Sequence, residues 1–321
     1  MEKQTLAKIS RESGKSISTV SKVLRSCPGV TAETRETVLR AAYANHIPQG
    51  RRSAPIVAIL PDTPKFFWEQ THRAIRGCGT EIALKVYSSI GEGDTTAILK
   101  RYLSEVIDTG ARAIILSARP DADLRETLSE IAKEHLVIQL CEYVPVPNTF
   151  FVGSDAEHDG ALLAETIPED RGSVSVGVLR CRNYPIEEGR MRGFLSALPR
   201  NARVVTVDAP SERSELYSAH LARAIDACGV PLDYFFCTDG ITAPACEALH
   251  KLREKMDARL LGFELPRSAE KYVASGRIAA VAVQRPDLQM QHAIALVRRY
   301  VTEGLFPDSK YCFIPSELRK P

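Results

Sequence analysis

Ile56-Val57-Ala58-Ile59-Leu60 is an unbroken apolar run that follows Pro55. Because no polar residue alternates with the apolar ones, the run is typical of a β-strand buried on both faces of a parallel sheet. Similar short apolar runs recur along the chain, at residues 83–87, 113–116, 137–140, 175–179, 204–207, 234–237, 259–262 and 279–283. The sequence therefore predicts at least nine short strands, most of them internal to a sheet.

Stretches with helical periodicity separate these runs, at residues 97–109, 123–134, 187–197, 214–228 and 243–255. Regular alternation of strand and helix predicts a doubly wound α/β architecture, in which parallel sheets carry helices on both faces. In such sheets, ligands bind beyond the carboxyl ends of the strands. We therefore expect a ligand site where the loops that follow these strands meet.

A different pattern precedes the first strand. Ser16-Ile17-Ser18-Thr19-Val20-Ser21-Lys22-Val23-Leu24 places apolar residues at helical spacing, with Ser16 as N-cap, and an earlier short helix begins near Thr5. Gly14 lies between the two helices, and a third helix is predicted after Thr31. Two short helices joined by a tight turn are typical of a helix-turn-helix motif. Residues 49–55, with Gly and Pro among basic side chains, are predicted to be a linker.

Residues 5–24, followed by Pro28-Gly29-Val30-Thr31 and Thr34-Arg35, resemble the amino-terminal headpiece of the lactose-repressor (LacI/GalR) family. The remainder resembles the periplasmic-binding-protein-like core of the same family, on motifs such as Arg190-Met191-Arg192-Gly193-Phe194 and Val283-Gln284-Arg285-Pro286. The resemblance implies an all-α headpiece at 1–48 and a two-lobed α/β core at 55–321. The lobes implied are 55–154 with 285–305, and 155–284 with 306–321. About seven residues of the family's hinge helix are absent from the linker.

The resemblance also implies a sequence-specific DNA-binding regulator, with the second helix in the major groove of an operator. Lys22 is the candidate donor to guanine, while hydroxyl side chains nearby are expected to hold phosphates. Ten basic against four acidic residues within 1–52 give this end a charge of +6, whereas the remainder carries −4. The predicted DNA-binding residues are Thr5, Ser16, Ile17, Ser18, Thr19, Ser21, Lys22, Thr34, Arg51 and Arg52.

A sugar-like effector is expected between the lobes, where aromatic rings stack on a sugar face and Arg190 binds paired oxygens. The residues that the resemblance places there are Phe66, Phe67, Ser117, Glu142, Arg190, Thr238, Asp239, Glu264 and Gln284. Effector binding would change operator affinity through linkage between the two sites. A homodimer is expected.

Composition and motifs also bear on the cellular location of the protein and on whether it uses a cofactor, binds a metal ion or acts as an enzyme. No long apolar run and no apolar leader follow Met1, so the sequence predicts a cytoplasmic protein without a membrane partner. The eight scattered cysteines predict free thiols, and no cofactor loop, metal spacing or nucleophile motif predicts a cofactor, a metal ion or an enzyme. Two alternatives stay open: an enzyme on a doubly wound fold, and a small-molecule binding protein with weak or no DNA binding.

Overall fold

The structure is a computed structural model. It describes residues 3–24, 30–31, 34, 37–38, 41, 55–62, 66–78, 81–87, 95–119, 121–169, 173–180, 185–208 and 217–321. Arg51, Arg52 and the rest of the predicted linker before Pro55 lie outside the described residues.

Two short helices begin the described chain, α1 (Lys3–Ser13) and α2 (Ile17–Leu24). The α2 helix starts where the sequence predicts, because the Ser16 hydroxyl accepts a hydrogen bond from the Thr19 backbone N–H at 3.1 Å. Apolar residues at helical spacing form a small buried cluster of their own, made of Ile9, Val20, Val23, Val38 and Ala41.

The first lobe is built on a six-stranded sheet of order β11-β5-β4-β3-β1-β2. Its strands are β1 (Ile56–Pro61), β2 (Ile82–Tyr87), β3 (Ala113–Leu116), β4 (Leu136–Leu140), β5 (Thr149–Gly153) and β11 (Tyr311–Phe313). Its helices are α3 (Phe66–Arg76), α4 (Thr95–Thr109), α5 (Ala122–Ile131) and α11 (Pro286–Glu303). All strand pairs in this sheet are parallel.

The second lobe repeats this plan on a sheet of order β12-β10-β9-β8-β6-β7. Its strands are β6 (Val174–Arg180), β7 (Ala202–Asp208), β8 (Tyr234–Cys237), β9 (Arg259–Phe263), β10 (Ile278–Val283) and β12 (Glu317–Arg319). Its helices are α6 (Ala156–Ala164), α7 (Pro185–Ser196), α8 (Tyr217–Asp226), α9 (Thr242–Lys251) and α10 (Glu270–Ala274). Only the edge strand β12 runs antiparallel to its neighbour, β10.

Each sheet is covered by helices on both faces, as the apolar runs require. In the first lobe, α4 and α5 pack on one face of the sheet and α3 and α11 on the other. In the second lobe, α8 and α9 cover one face and α6 and α7 the other. The prediction of a two-lobed α/β core with parallel sheets is confirmed.

The chain passes between the lobes after β5, after β10 and after β11. The third passage differs from the prediction, which assigned all of 306–321 to the second lobe. Tyr311, Cys312 and Phe313 instead pair with Phe151, Val152 and Gly153 in the first sheet, so the passage to the second lobe falls between Phe313 and Glu317. The short β11 completes the edge that β5 would otherwise expose.

A close crossing of α6 and α7 fixes the start of the second lobe. A Cβ on Gly193 would lie 1.8 Å from the Glu157 carbonyl oxygen, and one on Gly160 would lie 2.0 Å from the Arg190 carbonyl oxygen. Glycine at both positions is therefore needed for the two helix backbones to approach, and the approach sets the position of Arg190. Among the described helices, none is long and apolar enough to cross a membrane.

Candidate functional site

The carboxyl ends of the strands in the two sheets carry most of the polar residues predicted to bind a ligand. Ser117 follows β3, and Glu142 comes two residues after β4. In the second lobe, Thr238 and Asp239 follow β8, Glu264 follows β9, and Gln284 follows β10. Parallel pairing within each sheet brings these loop residues to the same edge of that sheet.

The backbone is unusual at three of these strand ends. Cys141, Glu264 and Arg285 have φ values of 68°, 64° and 56°, which lie in the left-handed region. Non-glycine residues are uncommon there and are held in place only by their surroundings. The strain is concentrated where β4, β9 and β10 give way to the loops of the candidate site.

Arg190, on α7, is the central cation of the site and is 4% exposed. Its Nη1 donates to the Thr238 carbonyl oxygen at 2.8 Å, and its guanidinium lies 3.9 Å from the centre of the Phe263 ring. Its Nε is buried and has no hydrogen-bond partner. The guanidinium is thus fixed by the second lobe, while one of its donors stays available to a ligand.

Glu264 is a deeply buried acid of the site, with 5% exposure. Neither carboxylate oxygen makes a hydrogen bond of good geometry. The pKa of Glu264 is raised to about 7, chiefly by burial; nearby Asp159 and Asp239 also raise it, whereas Arg190 and the backbone N–H of Gln284 lower it.

Glu142 faces this group from the first lobe. Its Oε2 is buried and unpartnered, and burial raises its pKa to about 8. Arg190 and Arg119 oppose this rise in pKa, and Glu187 and Asp239 add to it. Since Arg190, Glu187 and Asp239 belong to the second lobe, charges from both lobes act on the same carboxyl group.

Other predicted residues play supporting roles. Gln284 is buried and its Nε2 donates to the Ser154 hydroxyl at 2.7 Å, which joins the first two passages between the lobes. The Thr238 hydroxyl donates to the Leu179 carbonyl oxygen at 3.1 Å. The backbone carbonyl of buried Ser117 accepts a hydrogen bond from the Tyr87 hydroxyl at 2.8 Å.

The predicted aromatic residues stand apart from the charged group. Phe66 is half-buried and Phe67 is buried at the start of α3, where Phe67 packs edge-on against Trp68 at 4.8 Å between ring centres. No hydrogen bond or ring contact of the described residues joins Phe66 or Phe67 to Glu142, Arg190 or Glu264. Their part in ligand binding stays a prediction.

Sequence reasoning missed Glu187 and Asp159. Glu187 lies one turn before Arg190 on α7 and is 6% exposed, so the i,i+3 spacing was the available signal. Asp159 is buried, accepts from the Ser316 hydroxyl at 2.7 Å, and has a pKa raised by burial. Within the described part of the chain, no group of three or more His, Cys, Asp or Glu residues is arranged to hold a metal ion.

Most of the residues predicted to bind DNA lie on α1, on α2 or at the cap of α2; Thr34 follows these helices, and Arg51 and Arg52 lie outside the described residues. Ile17, Ser18 and Lys22 are exposed on α2, and Ser16 is used as its cap. Thr34 accepts a hydrogen bond from the Thr31 hydroxyl at 3.0 Å. Thr5 lies in α1, and Ser21 and Thr19 are half-buried.

Comparison with known proteins identifies the core. Residues 56–304 match the model of a family described as periplasmic binding protein domain. The sequence matches no curated protein sequence.

Three solved structures share the fold. One is a periplasmic solute-binding protein of an ABC transporter from Actinobacillus succinogenes with bound D-allose, at TM-score 0.70 and 17% identity, covering 83% of this chain and 96% of that one. Another is a glucose–galactose-binding protein from Geobacillus stearothermophilus, at TM-score 0.69 and 17% identity, with coverages of 84% and 98%. The third is a Caulobacter myo-inositol-binding protein bound to myo-inositol, at TM-score 0.69 and 16% identity, with coverages of 84% and 93%.

These findings correct several predictions. The prediction of a DNA-binding repressor is wrong, because the family and the solved structures are solute binders, and the alternative of a small-molecule binding protein agrees better with them. The predicted DNA operator and homodimer are contradicted by the family match, as is the cytoplasmic location, since the family is described as periplasmic binding protein domain. The expectation that the chain is not an enzyme is confirmed by its family. The physical reason for the error is that the apolar spacing of α1 and α2, with Ser18 and Lys22 exposed, also occurs in many small helical hairpins that do not bind DNA.

Proposed function

This chain belongs to the periplasmic binding protein domain family, and from that premise we propose that it binds a sugar or a sugar-like polyol between its two lobes. The observation that carries the proposal is the set of buried polar atoms without partners, on Arg190, Glu142 and Glu264, at the facing ends of two sheets. Buried polar atoms cost free energy unless they are hydrogen-bonded. A polyol offers donors and acceptors that fulfil this need.

The geometry favours a ligand with adjacent hydroxyl groups. Carboxylate oxygens of Glu142 and Glu264 accept from hydroxyls, and the free Nε of Arg190 donates to a ring or hydroxyl oxygen. Because Glu142 belongs to the first lobe and the other two to the second, one ligand that bonds to all three ties the lobes together. Such a ligand favours a closed arrangement by its differential affinity for it.

The experiment is a thermal-unfolding screen against neutral sugars and cyclitols, including D-allose, D-galactose and myo-inositol. A ligand at 100 times its dissociation constant stabilises the native protein by about 2.7 kcal/mol, which raises the unfolding temperature measurably. We expect the rise to disappear in Arg190→Ala. Arg192→Ala is the matched control, because Arg192 lies on the same helix but is exposed and paired with Glu157 at 3.3 Å.

An equal response of both variants, or no response of the wild type to any compound, would contradict the proposal.

We further propose that residues 1–48 form a small helical unit apart from the core, joined to it by residues 49–55. The separate cluster of Ile9, Val20, Val23, Val38 and Ala41 supports this division. The similarity of this unit to the LacI/GalR headpiece is proposed as a relation of sequence only, and no ligand is assigned to it.

A further inference from the structure

The ladder between β8 and β9 stops short of the candidate site. Its last paired residues are Phe236 and Leu261, and the chain continues from there to Thr238 after β8 and to Glu264 after β9. Glu264 has a φ of 64°, where a non-glycine residue is held only by its surroundings. Beyond the ladder, the two strand ends are therefore held relative to each other by side chains or loops.

Thr242 joins these two strand ends. It is the first residue of α9, shortly after the end of β8, and it is 1% exposed. Its hydroxyl donates to the backbone carbonyl oxygen of Phe263 at 2.5 Å and to that of Glu264 at 2.7 Å. A hydroxyl has one proton, so the two oxygens share it in a three-centre hydrogen bond. Because the two carbonyl groups lie on either side of the Glu264 Cα, one donor restrains both backbone dihedral angles of that residue.

The same bonds bear on the position of Arg190. Its guanidinium lies 3.9 Å from the centre of the Phe263 ring, and its Nη1 donates to the Thr238 carbonyl oxygen at 2.8 Å. Phe263 belongs to the end of β9 and Thr238 to the end of β8, so Arg190 rests on both strand ends that Thr242 joins. One buried hydroxyl thus supports the backbone of the acid and the surroundings of the cation.

Two other strand ends that contain a left-handed residue are held in a similar way. At the end of β10, the fully buried Gln289 donates from its Nε2 to the Gln284 carbonyl oxygen at 2.8 Å. In the loop after β4, the Gln139 side chain bonds to the N–H and the carbonyl of Val144. At the end of β9, however, the left-handed residue is itself a predicted ligand residue, which makes the restraint there a direct control on the site.

We propose that Thr242 is a positioning residue of the sugar site, which fixes the backbone of Glu264 and thereby holds its carboxyl group and the Arg190 guanidinium in the arrangement that binds the sugar. This inference deepens the proposed function and rests on it. The hydroxyl acts through the backbone, because its proton is already shared between two carbonyl oxygens. Without it, Glu264 leaves the left-handed conformation and its carboxyl group turns out of its buried position.

Isothermal titration calorimetry with D-allose, D-galactose and myo-inositol measures the effect on affinity. For the compound that wild type binds most tightly, we expect Thr242→Ala to weaken binding about tenfold and Thr242→Ser, which keeps the hydroxyl, to stay within about twofold of wild type. Thr166→Ala is the matched control, because the Thr166 hydroxyl also donates to a backbone carbonyl oxygen of the second lobe, that of Leu163, at 2.6 Å near the end of α6. It is expected to leave the affinity unchanged.

The titration of Glu264 tests the positioning without any sugar. Its pKa is raised to about 7, chiefly by burial. In Thr242→Ala the carboxyl group is expected to reach water and its pKa to fall towards the ordinary value of 4.5, whereas in Thr242→Ser it is expected to stay near 7. Carbon-13 spectra of protein labelled at the glutamate carboxyl carbons measure the titration, and the spectrum of Glu264→Gln identifies the signal by its loss.

The outcomes distinguish the inference from the proposed function. Equal affinity of wild type and Thr242→Ala, an equal loss in Thr166→Ala or in Thr242→Ser, or an unchanged pKa of Glu264 in Thr242→Ala overturns the inference and leaves the proposed function intact. If Thr242→Ala does not fold by circular dichroism, Thr242→Val, which keeps the volume and removes the donor, takes its place. Absence of binding by wild type to all three compounds contradicts the proposed function, and the titration of Glu264 then decides alone whether Thr242 positions this residue.

Discussion

Replacement of Glu264 by glutamine is expected to change how the stability of the protein depends on pH. The ordinary pKa of glutamate is 4.5, and in the native protein burial raises that of Glu264 to about 7. Between these two values the native protein holds a proton that the unfolded chain has lost. The native protein therefore binds more protons, so its free energy of unfolding falls as pH rises.

The magnitude follows from the same two values. From pH 5 to pH 8.5, Glu264 alone is expected to remove about 2–3 kcal/mol from the free energy of unfolding. Glutamine has a similar shape and no charge, so the variant lacks this loss. We expect the free energy of unfolding of Glu264→Gln to rise by about 2–3 kcal/mol relative to wild type over this pH range. Glu142 titrates in both proteins, and its contribution cancels in the difference.

Urea unfolding followed by circular dichroism measures the effect at half-unit intervals of pH. If the lobes unfold in separate steps, the difference is expected in the step of the second lobe, to which Glu264 belongs. Glu254→Gln serves as control, and its difference from wild type is expected to stay flat. Parallel stability curves for wild type and Glu264→Gln would refute the claim that this buried carboxyl is protonated near neutral pH.

Two substitutions and one fluorescence titration test the parts of the fold that hold the site. Gly193→Ala places a methyl group against the Glu157 backbone and is expected to lower the free energy of unfolding, measured by thermal unfolding, by about 2–4 kcal/mol. Leu195 is exposed on the same helix, so the control Leu195→Ala is expected to lower it by less than about 1 kcal/mol. The Gln139 side chain makes three hydrogen bonds of 2.7–2.9 Å, two with the Val144 backbone and one with the Thr149 hydroxyl. Gln139→Leu removes them and is expected to lower the free energy of unfolding by about 3 kcal/mol and to weaken ligand binding. Trp68 is the only tryptophan of the sequence and follows Phe67 at the start of α3. Its fluorescence is therefore expected to change when a sugar is titrated into the protein. An unchanged emission spectrum at saturating ligand would argue against a role for α3 in binding.

The sequence predicted nine of the described strands and missed β5, β11 and β12. All nine apolar runs are strands, and most of them are internal to a sheet, where a parallel strand is apolar on both faces and leaves an unbroken signal; β2 and β7 lie at sheet edges. The β5 strand follows Pro145, Pro147 and Asn148, whose turn signals obscure its start. The β11 and β12 strands have three residues each, with exposed positions, and only tertiary pairing identifies them. That is why the third passage between the lobes was placed eight or more residues too early.

The candidate site was predictable in position but not in its electrostatics. The family resemblance named Glu142, Thr238 and Glu264, and their positions agree with the rule that ligands bind beyond the carboxyl ends of the strands. Whether such a glutamate is ionised depends on burial and on charges from distant parts of the chain. Asp159 acts on Glu264 across more than a hundred residues of sequence, and no local pattern contains that information.

Asp159 also connects the site to the segments that pass between the lobes. It accepts from Ser316, in the third passage, and from Ser154, in the first, and Ser154 in turn accepts from Gln284, next to the second. A rearrangement of the lobes alters the backbone of these passages and therefore the surroundings of Asp159. Because the charge of Asp159 raises the pKa of Glu264, such a rearrangement alters the protonation of the ligand site as well. Lobe closure is thus expected to change the number of protons that the site binds, through a network of four polar side chains of which Asp159, Ser154 and Gln284 are buried.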